Sequence, residues 1–267
     1  MQNIIDAHCH IYPRKIAPKA VEGINRFYDL KMDAKGTVED LLEREMKAGV
    51  THFLCHSVAT KPEQVNSINE FISEEVKLHK GLITGFGTLH PDSEDMEGDI
   101  SRLIELGLEG VKMHPDFQHY HIDGERSVRL SHMVADAGLP ILVHCGDYRY
   151  DLSNPERVAN FLKKVPEITM IGAHFGGWSM WDEAAQLLAG RFKNLYVDCS
   201  SSLYALEPGR ATELVREYGA NRVLFGTDYP MWDINDELER FSKMDLTDEE
   251  RRMVLCDNAV RLLKIDD

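Results

Sequence analysis

Basic charge is in short supply: thirty Lys and Arg face forty-five Asp and Glu, a net charge of -15. That excess repels phosphate backbones and anionic membrane surfaces, and no basic patch offsets it locally, so neither nucleic acid nor membrane is an expected partner. Cysteine is sparse and odd in number, at positions 9, 55, 145, 199 and 256, with no CxxC pair. A disulfide framework and a Cys-rich zinc module are thereby excluded. Cys55, Cys145 and Cys199 lie in apolar runs and read as small buried hydrophobes. No window approaches the ~18 apolar residues of a membrane span. The opening Met-Gln-Asn-Ile-Ile-Asp-Ala-His has neither the basic start nor the apolar stretch of a secretory signal. A glycine-rich turn is also missing after the first apolar run, where a dinucleotide-binding fold would carry one; Asp-Ala-His-Cys-His stands there instead. A cytoplasmic enzyme working on a small molecule is the class left standing, with a homo-oligomer left open.

What is present is alternation. Short apolar runs at Asn3–Ala7, Val50–Cys55, Ile83–Leu89, Gly110–His114, Pro140–His144, Thr169–His174, Leu195–Cys199 and Arg222–Gly226 read as strands. Between them lie helical stretches such as Thr37–Ala48, Pro62–Lys80, Asp95–Leu106, Glu125–Ala137, Pro155–Val165, Met180–Ala189 and Gly209–Tyr218. Start signals stand at Thr37, Asn154-Pro155 and Pro208, and stop signals at Gly49, Gly107, Gly138 and Gly219. Buried, non-alternating strands separated by helices predict a parallel sheet covered by helices. Eight such units fit an α/β fold of the (β/α)₈ TIM-barrel type, one domain over residues 1–267. The tail from Leu246 to Leu263 reads as one amphipathic helix closing the outside of the barrel, opened by a capping box at Thr247.

Barrels of this kind carry their chemistry at the C-terminal ends of the strands. Seven of the twelve histidines fall there: His8, His10, His56, His90, His114, His144 and His174. Asp198 and Asp228 end the seventh and eighth strands. One such His is ordinary in a core, whereas imidazole or carboxylate converging from six strands asks for a metal with a position left for water. His8 and His10, two apart on an extended strand, point the same way and can grip one ion, while Cys9 points to the other face. His144 and Asp228 would complete the shell. Nitrogen and oxygen donors favour Zn²⁺, with Mn²⁺, Fe²⁺ or Ni²⁺ as alternatives.

The segments Asp-Ala-His-Cys-His, Leu-Val-His-Cys-Gly, Gly-Ala-His-Phe-Gly-Gly and Leu-Phe-Gly-Thr-Asp-Tyr-Pro, in that order, resemble the amidohydrolase superfamily. More narrowly they resemble its amidohydrolase-related branch, which holds hydrolases beside aminocarboxymuconate-semialdehyde decarboxylase and similar enzymes. The resemblance implies His8, His10, His144 and Asp228 as metal ligands. It implies His174 as an acid–base catalyst, with Asp228 sharing that work. It also implies hydrolysis of a small amide, ester or lactone, or else non-oxidative decarboxylation. Lys112 and His114 share a face at the fourth strand. Lys112 reads either as a cation for a substrate carboxylate or as a carboxylated bridge between two metals. Arg149 and Trp178, in the loops that follow, are expected to wall the substrate pocket. A phosphoesterase that opens with His-x-His would want a late Asp-x-His, and Thr-Asp-Tyr-Pro stands in its place.

Overall fold

In the computed structural model, which describes residues 3–265, every apolar run read as a strand forms one. They are β1 (Ile4–His10), β2 (Val50–His56), β3 (Ile83–Thr88), β4 (Gly110–Met113), β5 (Ile141–Val143), β6 (Met170–Gly172), β7 (Leu195–Asp198) and β8 (Val223–Leu224). Each pairs in parallel with the next in chain order. The ends join where Ala7 N–H donates to Phe225 O at 2.9 Å and His10 N–H to Tyr229 O at 2.7 Å. The result is an eight-stranded (β/α)₈ barrel.

The helices are α1 (Ala17–Tyr28), α2 (Val38–Glu45), α3 (Val65–Leu78), α4 (Met96–Glu105), α5 (Pro115–Gln118), α6 (Glu125–Asp136), α7 (Pro155–Lys164), α8 (Trp181–Leu188), α9 (Pro208–Tyr218), α10 (Ile234–Ser242), α11 (Asp248–Arg252) and α12 (Asn258–Leu263). Their starts are chemically specified. Thr37, Asp95 and Asn154 side chains accept the amides of Asp40, Gly98 and Arg157, satisfying donors that the first helical turn leaves over. Three helices lie outside the segments named from sequence, α1, α10 and the single turn α5. α1 carries Pro18 in its first turn and Gly23 in its middle, which blunt a helical pattern.

Most of the apolar core lies between barrel wall and helices, with Phe53, Leu103, Val111, Phe161 and Leu214 inaccessible or nearly so. A second cluster fills the barrel's interior: Ile5, Ala7, Leu54, Phe86, Leu142, Ile171, Ala173 and Leu224. Phe86 fits because Gly110 faces it; a Cβ there would sit 2.4 Å from the ring.

The tail departs from expectation. Thr247 does open it with a capping box, its hydroxyl accepting Glu250 N–H while its own amide donates to the Glu250 carboxylate. The helix is then interrupted by a π turn at Met253–Asp257. Beyond the turn, Ala259 and Leu263 join the interior cluster rather than covering the outside. A five-residue turn rotates the following apolar face, and here that face plugs the N-terminal mouth. The closed lower end leaves the opposite mouth for chemistry. Cys9, Cys55, Cys145 and Cys199 are buried and form no disulfide, and no helix among the described residues is long and apolar enough to cross a membrane.

Candidate active site

β1 ends by sending His8 and His10 into the open mouth, where both are buried. His8 comes close to β8 because Gly226 has no side chain; a Cβ there would lie 2.9 Å from His8 Cβ. His8 Nε2 and His10 Nε2 are 3.3 Å apart, and Asp228 Oδ1 lies 3.3 and 3.4 Å from them. Two donors held ~2.1 Å from one ion at the tetrahedral angle are about 3.4 Å apart. The triangle therefore has the dimensions of one face of a metal's coordination shell, and the donor set fits a divalent ion. Asp228 is oriented by Ser201, whose hydroxyl donates to Oδ2 at 2.6 Å and accepts from the Trp232 indole at 2.8 Å. Burial alone would raise the Asp228 pKa, but the imidazoles of His8, His10 and His174 hold it well below the usual carboxylate range.

Asp198, at the end of β7, organises the triangle from behind. Its Oδ2 takes the His8 Nδ1 hydrogen at 2.9 Å, which leaves the His8 Nε2 lone pair facing the mouth. Its Oδ1 accepts the backbone amides of His174 and Ser200. Against the cost of burial, those partners, His8 foremost, keep Asp198 ionised, its pKa pulled down to about 2. The Asp198 grip also holds a strained turn. His174, whose amide Asp198 accepts, has φ of 60°, in the left-handed region that non-glycine residues enter at a cost of order 1–3 kcal/mol.

The β5–β6 side is arranged differently. His174 Nδ1 donates to the Ser200 carbonyl at 2.9 Å, so its Nε2 carries the lone pair. That lone pair faces His144 Nδ1 at 3.1 Å. His144 Nε2 lies 3.3 Å from Asp116 Oδ2. His144 is thus turned toward His174 and Asp116, not into the triangle where the sequence placed it. His114 stacks flat on His144, ring centroids 4.0 Å apart, and its Nε2 is 3.3 Å from the Tyr28 hydroxyl. Burial keeps His144 and His114 neutral, pushes His174 and His10 down to about 4, and with Asp147 nearby lifts Asp116 to about 7.

Lys112 reaches the same place from β4. It is buried, its ammonium donates to His8 Nε2 at 3.0 Å, and desolvation lowers its pKa to about 8. Above these groups opens a cavity of about 750 Å³, walled by Ile24, Phe27, Tyr28, Ile68, Phe71 and Phe117 around a floor of His8, His10, Lys112, His114, His144, His174 and Asp228.

Arg149 and Trp178 do not line this cavity. Arg149 is committed elsewhere. Its guanidinium grips the Asp147 carboxylate at 2.6 and 2.8 Å, donates to the Phe27 carbonyl at 2.8 Å, and lies among the rings of Phe27, Tyr28, Tyr150 and Trp178. The pair fastens the C-terminal end of α1, and Trp178 braces it, 5.3 Å from the Tyr28 ring. Of the remaining histidines, His90 caps its own turn through Asp92 N–H, His52 bonds Thr84 near the closed end, and His132 pairs with Glu167 on the surface.

The sequence reading assigned no role to Asp198, Tyr28, Asp116 or His56. Asp198 was visible as a strand-end acid. Tyr28 carried no signal, because it arrives on a helix that the pattern did not reveal.

A family model described as amidohydrolase matches residues 5–265. A sequence comparison with curated proteins finds no match. Among solved structures, an uncharacterised TIM-barrel protein from Bordetella bronchiseptica superposes with a TM-score of 0.80 at 21% identity, covering 98% of each chain. A dihydroxybenzoic acid decarboxylase with bound manganese, from a Polaromonas species, gives 0.73 at 17% identity, covering 100% of this chain and 98% of its own. A putative 2-pyrone-4,6-dicarboxylic acid hydrolase from Pseudomonas putida gives 0.69 at 18% identity, covering 100% of this chain and 99% of its own. The chain belongs to the amidohydrolase family.

Proposed function

From that membership and the geometry of the mouth, we propose that the protein is a metal-dependent hydrolase of a small amide, ester or lactone. The observation that carries the reading is the His8–His10–Asp228 triangle at the floor of a largely apolar cavity. A divalent ion held there, Zn²⁺ by donor type with Mn²⁺, Fe²⁺ or Ni²⁺ as alternatives, supplies Lewis-acid polarisation of a carbonyl and a water of lowered pKa.

The chain's own groups account for the rest. Asp198 fixes the His8 tautomer so that the Nε2 lone pair faces the mouth, where it would hold the ion. His174 Nε2, its hydrogen kept on Nδ1 by Ser200, accepts the proton that water releases on attack, and then returns it to the departing nitrogen or oxygen. Asp228, one oxygen held by Ser201, would hold the ion with the other and would assist in taking that proton. The Lys112 ammonium, buried beside His8, supplies positive charge for the oxygen that becomes anionic. His114 with Tyr28 forms a second polar contact for the substrate, and the aromatic wall carries its apolar body. Asp147 already neutralises Arg149, so a carboxylate on the substrate is met by the ammonium groups that line the cavity, Lys112 and Lys19.

A decarboxylase is the second reading, favoured by the apolar wall. A carboxylate desolvated against Phe27 and Phe117 leaves more readily as neutral CO₂, its bonding electron pair remaining on carbon. That carbon then takes a proton that water supplies through His174 Nε2, one proton being drawn from solvent overall. Metal-loaded protein incubated with lactones, amides and aromatic acids separates the two. Ring opening or amide cleavage without gas supports the hydrolase, CO₂ release supports the decarboxylase, and no turnover by loaded protein in any class contradicts both.

A further inference from the structure

Gly23 stands in the middle of α1, and neither ordinary reason for a glycine applies to it. Its backbone is helical, so no left-handed turn requires it. No atom lies within 4 Å of where its Cβ would stand, whereas the barrel glycines Gly85, Gly87 and Gly110 each have a neighbour at 2.4–2.6 Å. Glycine is the poorest residue for a helix interior after proline, and here no close packing offsets that cost. The space in front of it is the active-site cavity, which Gly23 lines.

That cavity extends well past its polar floor. Tyr28, at the end of α1, reaches the floor with its hydroxyl 3.3 Å from His114 Nε2. At 1.5 Å per residue, Gly23 lies about 7.5 Å and Ala20 about 12 Å back along the helix. Ala20, Gly23, Ile24 and Phe27 recur at helical spacing on the cavity face of α1, and Ile68 and Phe71 line the cavity from α3. Ile16, half exposed, continues the apolar wall beyond the start of the helix. A volume of about 750 Å³ lies in the upper part of the roughly 300–1,000 Å³ that drug-sized ligands occupy. A single-ring acid seated on the floor would leave the outer part to water, and water against an apolar wall is what an apolar ligand relieves.

We infer that the substrate carries an apolar limb on its acyl side, alkyl or arylalkyl, that lies along α1 and passes closest to the helix at Gly23. The inference rests on the reading above that a carbonyl is activated at the floor, and it narrows the substrate class to amides or esters of a lipophilic acid. Gly23 is then a specificity-determining position, its missing side chain being the room for the limb. Lys19 and Gln64, exposed and lining the rim, mark where the apolar wall gives way to water and bound the limb's length.

The test uses metal-loaded protein with the straight-chain carboxylates from butyrate to decanoate as probes. Dissociation constants are read by calorimetry for wild type, Gly23→Leu and the solvent-face control Glu22→Leu. In wild type each added methylene should tighten binding roughly fourfold until the limb reaches the rim. Gly23→Leu should bind butyrate as wild type does and decanoate roughly 10-fold or more weakly, because the leucine occupies the limb's place. Its melting temperature should equal or exceed that of wild type, since leucine favours the helix and its Cβ meets no atom. Glu22→Leu, at an exposed residue paired with Arg26, should leave the whole series unchanged. Wild-type affinity independent of chain length, or a Gly23→Leu loss equal for butyrate and decanoate, overturns the inference while the hydrolase reading stands. Chain-length dependence abolished by Gly23→Leu, in loaded protein that cleaves neither butyryl nor decanoyl amides and esters, overturns the hydrolase reading and leaves the limb's place assigned.

Discussion

At the β1–β8 side of the mouth, His8 Nε2, His10 Nε2 and Asp228 Oδ1 face one another at 3.3–3.4 Å, with Lys112 alongside. At the β5–β6 side, His174 gives its hydrogen to Ser200 and turns its lone pair to His144, which lies beside Asp116. Both sides are buried and rich in imidazole, yet their electrostatics differ. On the first side acceptor atoms converge on one point, an arrangement that a cation stabilises. On the second, donors and acceptors alternate, an arrangement that moves protons. Residue type alone does not separate metal binding from proton transfer; the direction in which each ring nitrogen faces does.

The sharpest way to break this comparison is to remove a member of the converging side. His8→Ala should lower turnover by roughly 10³-fold or more and strip the ion, the metal supplying most of the activation. The fold should survive, because the apolar core lies between barrel wall and helices and in the barrel interior, away from the mouth. Metal retained at the wild-type level in that variant, measured by elemental analysis, would mean that the triangle is not the binding point. Next in size is His174→Asn, expected to cost about 10²–10⁴-fold in kcat with metal content unchanged. Loss of the ion instead would place His174 among the ligands. It would favour a two-metal site bridged by carboxylated Lys112, an alternative that mass spectrometry of the intact protein would show as added CO₂.

Asp198→Asn tests the support rather than the ligands. It should weaken metal affinity roughly 10–100-fold by loosening the His8 tautomer, with a smaller loss in kcat of the loaded enzyme. The smallest effect is expected at Arg149. Because it latches α1 through Phe27 and Asp147, Arg149→Met should speed hydrogen exchange in Ala17–Tyr28 and raise KM several-fold for acidic and neutral substrates alike. A rise confined to acidic substrates would restore Arg149 as a carboxylate clamp.

The barrel was legible in the sequence because its strands are buried on both faces and its helices carry capping residues, two signals that survive without tertiary context. The strand-end histidines were legible for a similar reason, since packing does not ask for imidazole at so many ends of one face. The orientation of each ring was not. His144 turns toward Asp116, and Asp116 enters on α5, a single turn with too few residues to show a pattern. Arg149 illustrates the same gap. Its charge and its place after β5 suggested a free cation, but Asp147, two residues earlier, folds back onto it through the turn. The tail was read correctly as helical and amphipathic. Its destination was hidden because a π turn shifts the apolar face after the pattern has been set.

The central claim is that one divalent ion belongs on the β1–β8 side of the mouth. Elemental analysis of protein purified without chelator, run beside His8→Ala and His174→Asn, tests it most directly. The account predicts about one ion per chain in wild type and in His174→Asn, and close to none in His8→Ala. Full activity in wild type with no ion, abolished by Lys112→Met, would contradict it and make the Lys112 ammonium the charge on which the chemistry depends.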